Sequence, residues 1–111
     1  MFPNQPSQVR VPITVEAGGV TVGSDLVARI GQPGIYAYNL LRVWITGPVG
    51  TFQLFKGSMS NPPFSSVYSG GTADAQFTPG ELIPPGNDVI GVWVGGAGKT
   101  GRMVVTTDGG I

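Results

Sequence analysis

Few residues in this 111-residue chain can do chemistry. It contains no His and no Cys. That removes the usual general base near neutral pH, the commonest metal ligand, thiolate chemistry and disulfides. Serines are present, but no imidazole stands by to take a hydroxyl proton. Among the acids, Asp74, Glu81 and Asp88 lie closest together in the turn-dense second half. Two carboxylates held on facing strands would suit glycoside hydrolysis, and oxygen ligands of this kind suit Ca²⁺. The plainer reading gives Asp74 and Asp88 to turns, bonding local backbone amides. We adopt it, and expect no catalytic residue, no metal, no cofactor and no enzymatic activity.

The run Gly95-Gly96-Ala97-Gly98-Lys99-Thr100 ends like a phosphate-binding loop. The spacing G-x-x-x-x-G-K-[ST] puts a glycine where this chain has Trp93, and the loop must open a helix. Here it leads into an apolar alternation, so a hairpin connection between two strands is expected. Aromatics offer a third chemistry. Tyr36, Tyr38, Trp44, Phe55, Phe64, Tyr68 and Trp93 are enough for a sugar-stacking platform, but equally suit a core or a subunit interface. All three readings stay open at this point.

Composition narrows the partners. Six acidic and six basic residues balance to a formal net charge of zero, and charged residues are 11% of the chain, less than half the usual ~25%. Without a basic excess, nucleic acid is not an expected partner. A surface with so little charge favours association, so a homo-oligomer or a subunit of a larger assembly is expected. No apolar run reaches the length of a membrane span. The first residues lack a basic segment followed by an apolar one, so no signal peptide is expected.

The elements that must position these residues are strands. With 19 glycines and 10 prolines, the chain is punctuated by turns, and the intervals between them alternate apolar and polar residues. Residues 1–7 read as an extended arm, and 8–111 as one domain. Val9, Val11, Ile13 and Val15 mark a first strand, placed at a sheet edge because Pro12 cannot donate a ladder hydrogen bond. A second strand spans 20–30 with a bend at Gly23-Ser24. Residues 40–56 read as a central hairpin around Gly47-Pro48-Val49-Gly50, with Leu41, Val43, Ile45, Phe52 and Leu54 inward and Arg42, Trp44 and Phe55 outward. Residues 57–66, with Met59, Pro62, Pro63 and Phe64, read as a long surface loop. Weak strands follow at 67–69 and 73–78, then a turn-dense stretch at 79–88. In the strand 89–94, Ile90, Val92 and Val94 oppose Val89, Gly91 and Trp93; the last strand is 102–107. Seven to nine short strands predict an all-β domain, a single antiparallel β-sandwich, jelly-roll-like or Ig-like.

The arm, the opening Arg-Val-Pro-Ile-Thr-Val-Glu, the central Leu-Leu-Arg-Val-Trp-Ile and the late Ile-Pro-Pro-Gly-Asn-Asp-Val-Ile-Gly-Val-Trp-Val together resemble small all-β bacteriophage virion proteins, of the capsid decoration, cement or head-fibre type. The resemblance implies a structural subunit of the virion, assembled in the host cytoplasm, that binds major capsid protein or its own copies, often as a trimer. The contacts expected are Phe2, Pro3 and Pro6 on the arm, Trp44 and Phe55 on the hairpin's outer face, and Met59, Pro62, Pro63 and Phe64 on the loop. The alternative is a carbohydrate- or receptor-binding β-sandwich module, with Trp44, Tyr68 or Trp93 stacking on a glycan.

Overall fold

The computed structural model describes residues 13–31, 36–48, 50–58, 61–71 and 74–108. The arm contacts Phe2, Pro3 and Pro6, and the loop residue Met59, lie outside them. Among the described residues there are nine strands and no helix: β1 (Ile13–Gly18), β2 (Val20–Val22), β3 (Asp25–Arg29), β4 (Tyr38–Thr46), β5 (Phe52–Ser58), β6 (Asn61–Gly70), β7 (Asp74–Ile83), β8 (Asp88–Trp93) and β9 (Arg102–Thr107). They form two antiparallel sheets, one of four strands in the order β1-β9-β4-β7 and one of five in the order β2-β3-β8-β5-β6. The all-β sandwich expected from the sequence is therefore the fold.

Between the sheets lies the core. Tyr38, Leu40, Val43, Ile45, Met103 and Val105 come from the four-stranded sheet; Leu26, Ala28, Phe52, Leu54, Val89 and Trp93 come from the other. Phe52 meets Trp93 edge-on, with ring centroids 4.9 Å apart, the geometry the aromatic quadrupole favours. Gly91 faces the same space, and a Cβ there would lie 2.6 Å from Phe52 Cζ. The absence of a side chain makes room for the ring.

The central hairpin does not exist. β4 pairs with β7 and β9 while β5 pairs with β6 and β8, so the chain passes from one sheet to the other between Thr46 and Phe52. Crossing over lets each strand's apolar face meet the other's, which a coplanar hairpin could not do. Gly47 passes against the Trp93 indole, where a Cβ would stand 2.6 Å from Nε1, and the Val94 amide donates to the Thr51 carbonyl. The glycine-rich run 95–101 likewise crosses between sheets, from β8 to β9, instead of closing a hairpin. The two tight hairpins are elsewhere. β2 and β3 turn at Gly23-Ser24, where Gly23 takes φ 61° at the position a type II′ loop reserves for glycine. β5 and β6 turn between Ser58 and Asn61.

Other expectations change in detail. The loop expected over 57–66 is not found among its described residues: Gly57 and Ser58 end β5, and from Asn61 runs the ten-residue edge strand β6, which carries Pro62, Pro63 and Phe64. An edge has no ladder on its far side, so prolines fit there. β7 runs to Ile83 through Pro79, on the edge of the other sheet. β1 occupies the edge that Pro12 implied. In β4 the register slips at Leu41 against both neighbours, so Leu40 and Val43 both point inward and Leu41 is only half-buried.

Candidate functional site

A sandwich keeps its inner faces for the core, so binding chemistry falls to the two outer faces and the edges. The outer faces differ in kind.

On the four-stranded sheet the outward positions form two cross-strand rows. Thr14, Thr106, Arg42 and Gln76 make one; Glu16, Val104, Trp44 and Asp74 make the next. Cross-strand partners on one face lie close enough to act as a unit. Arg42 donates from Nε to Asp74 Oδ1 at 2.7 Å and from a second nitrogen to Oδ2, a two-pronged pair. Those hydrogen bonds hold the Asp74 carboxyl below the usual carboxylate range, and Asp74 in turn strengthens the guanidinium's hold on its proton. Arg102 lies 3.5 Å from Glu16, and the Thr14 and Thr106 hydroxyls are 3.4 Å apart. Trp44 stands in the middle, 52% exposed. Thr14, Arg42, Trp44, Val104 and Thr106 line an open hollow of about 380 Å³.

The outer face of the five-stranded sheet is apolar over β2, β3 and β8 at its valines, and turns polar at Gln53 and Ser69 on β5 and β6. Val20, Val27 and Val92 stand in one cross-strand row, with Val22 beside it. Val20 is 65% and Val22 57% exposed, and Val94 adds a further open side chain. The charges nearby are engaged: Arg29 with Asp88 at 3.3 Å, and Asp25 as acceptor from the Gly95 amide at 2.9 Å. Gly18, Val20, Val22, Val27 and Arg29 border a shallow hollow of about 390 Å³. An antiparallel sheet with one wet face ordinarily alternates apolar-in with polar-out. The four-stranded sheet does so, and the five-stranded sheet departs from it at Val20, Val22, Val27 and Val92.

The sites expected from sequence are scattered by this fold. Trp44 and Phe55 do not share a surface: Trp44 is on the outer face of the four-stranded sheet, and Phe55, half-buried, is across from Ile90 on the other. Phe64 is half-buried on β6, where it closes over Gly57. Of the three aromatics considered for sugar stacking, Trp93 is 1% exposed and belongs to the core. Tyr68 is half-buried against the core and donates to the Gly71 carbonyl at 3.3 Å. Only Trp44 is open.

Nor do the three acids converge. Asp74 pairs with Arg42, Glu81 with Lys56 at 2.8 Å, and buried Asp88 accepts from the Gly31 and Val89 amides as well as from Arg29. Asp88 thus has the backbone-binding role expected of it, while Asp74 makes an ion pair in its place. Among the described residues no three His, Cys, Asp or Glu side chains cluster as metal ligands. The 95–101 run spends its amides locally: Gly96 on the Trp93 carbonyl, Ala97 on that of Ser24, Gly98 on the Thr21 hydroxyl and Lys99 on the Gly96 carbonyl. A phosphate cradle would need those donors turned outward together. Tyr38 and Trp93 each bury a donor, Oη and Nε1, with no hydrogen-bond partner among the described residues. Burial, followed by the charge of Asp88, pushes the Tyr38 phenol up to about 12.

The valine face could not be picked out from sequence because β8 is apolar at every position except Asp88 and Gly91. The one usable sign was Val20 and Val22, whose short strand beside Gly18-Gly19 cannot bury both of its faces. Compared with protein-family models, with curated proteins and with solved structures, the chain matches none.

Proposed function

We propose that this protein is a structural virion subunit, an accessory or decoration protein seated on a capsid surface or on its own copies through the outer face of the five-stranded sheet. The observation that carries the reading is the valine row Val20, half-buried Val27 and half-buried Val92, with exposed Val22 and Val94 beside it, on a chain with 11% charged residues. Burying such surface contributes roughly 25 cal/mol per Å², and of the charges beside it Arg29 is paired with Asp88 while the Asp25 carboxylate accepts from the Gly95 amide. The resemblance to small all-β phage virion proteins supplies the setting.

Light scattering on the purified chain, and binding to shells that lack it, test the reading. We expect an oligomer or saturable binding to shells. The double substitution Val20→Lys and Val22→Lys is expected to abolish that association while leaving the melting temperature unchanged, because both side chains are already exposed. A chain that stays monomeric and ignores such shells is not this protein's proposed kind.

A further inference from the structure

We propose that the outer face of the four-stranded sheet is a binding site for a neutral glycan, with Trp44 as its stacking platform. The site is separate from the valine face and does not depend on it.

The argument starts from what the face offers. Trp44 presents an indole to solvent at the centre of the sheet, with Val104 beside it on β9 as the other apolar side chain in its hollow. Every other side chain of the two rows is polar. A protein-docking patch of ordinary kind has an apolar centre depleted in charge; here a single aromatic is ringed by hydroxyl, amide, guanidinium and carboxylate groups. The ligand that fits is amphipathic on a small scale, with one flat C–H face for the ring and polar edges all round. A pyranose has that form.

Charge narrows the class further. Arg42 is matched by Asp74, and Arg102 by Glu16. The face is therefore neutral in sum, and neither an anionic nor a cationic ligand gains from it. The Arg42–Asp74 pair fixes both side chains beside the indole, so donors and acceptors are held in place before a ligand arrives, which lowers the ordering cost of binding. The Thr14 and Thr106 hydroxyls lie on the far side of Arg42 and can donate or accept. Strands about 4.8 Å apart spread these groups across a patch wide enough to meet several hydroxyls of one ring. At about 380 Å³ the hollow suits a mono- or disaccharide unit, at the small end of ligand sites.

The test uses the full chain on an array of neutral and charged oligosaccharides, followed by titration with soluble cellobiose, maltose and N,N′-diacetylchitobiose. We expect binding to neutral glycans, with acrylamide quenching of the exposed tryptophan reduced on saturation. Trp44→Ala should weaken binding by on the order of tenfold or more with an unchanged melting temperature. Trp44→Tyr should keep most of the affinity, and Val20→Lys should leave it untouched. The proposal is overturned if no neutral glycan binds, if binding is confined to charged glycans, or if Trp44→Ala binds as the parent does. Loss of self-association or shell binding in Trp44→Ala, with no glycan bound, assigns Trp44 to a protein interface.

Discussion

Replacing Gly91 with alanine tests the core geometry on which both outer faces depend. Its Cβ would lie 2.6 Å from Phe52 Cζ and 2.9 Å from both Phe52 Cε1 and Met103 Sδ. Carbon contacts settle near 3.5–4.0 Å, so the ring must retreat by about 1 Å. It has little freedom to do so, since Phe52 is fully buried and held edge-on by Trp93. Overpacking of this sort costs about 1–3 kcal/mol. Gly91 is not among the glycines with positive φ, so alanine fits the backbone and recovers about 0.4–1 kcal/mol by restricting the unfolded chain. The net expectation is a loss of about 1–2 kcal/mol. In urea, with a slope of about 1–3 kcal/mol per M, the midpoint should fall by roughly 0.3–2 M while the slope holds. Phe52→Leu, added to Gly91→Ala, removes the two ring atoms that clash and leaves only the flexible Met103 side chain to give way; the double variant should be more stable than the two single losses predict, by about 0.5 kcal/mol or more. A Gly91→Ala protein with an unchanged or higher midpoint, or strict additivity with Phe52→Leu, would refute this packing.

Two further outcomes concern titrating groups. Tyr38 ionises at about 12 in the folded protein against an ordinary 10.0. Its contribution to stability is therefore complete below pH 10 and is lost as pH rises towards 12, because the unfolded chain releases the proton first. Tyr38→Phe removes a buried hydroxyl that has no partner among the described residues; we expect it to be neutral or stabilising by about 1 kcal/mol near neutral pH, and to flatten the alkaline loss measured by denaturation across that range. On the acid side, Asp74 is held low by Arg42. Its contribution is present above the ordinary aspartate range and lost as pH falls through the folded value. The pair is exposed and screened, so Arg42→Gln should hardly change stability, while the Asp74 carboxyl resonance should titrate at a higher pH than in the parent.

Much of the architecture was legible because glycine and proline punctuate the chain and the intervals alternate. The all-β class, the edge position of β1 and the inward set Val43, Ile45, Phe52 and Leu54 follow from that pattern. What alternation does not encode is which sheet a strand joins. A Gly-Pro-x-Gly turn between two amphipathic strands looks the same whether it closes a hairpin or arches across a sandwich. Here the arch is fixed by something distant, the Trp93 indole, which Gly47 and Gly101 approach too closely to carry side chains. The strand β6 was hidden for a related reason. Asn61-Pro62-Pro63 reads as a loop when a strand is assumed to need amides on both sides, and an edge strand needs them on one.

The two tryptophans show why the candidate site was only half visible. Around Trp44 the sequence is amphipathic: Val43 and Ile45 alternate with Arg42 and Thr46, so an outward indole follows from the pattern, and the structure leaves it 52% exposed. Around Trp93 the chain is apolar on both faces, and alternation assigns no phase. Counting Ile90, Val92 and Val94 as the inner set chooses the branched aliphatics, but Val89, Gly91 and Trp93 are the set the core receives, while Ile90 is buried outside the core cluster, across from Phe55. Gly91 was the sign. A glycine in mid-strand marks a place where something large must approach, and Phe52 is that group. Once β8 is turned this way, Val92 and Val94 go outward to join Val20, Val22 and Val27. One unread glycine therefore separates a sandwich with two ordinary wet faces from one with a polar face around Trp44 and an apolar face opposite, and that asymmetry is what gives the molecule two distinct surfaces with which to bind.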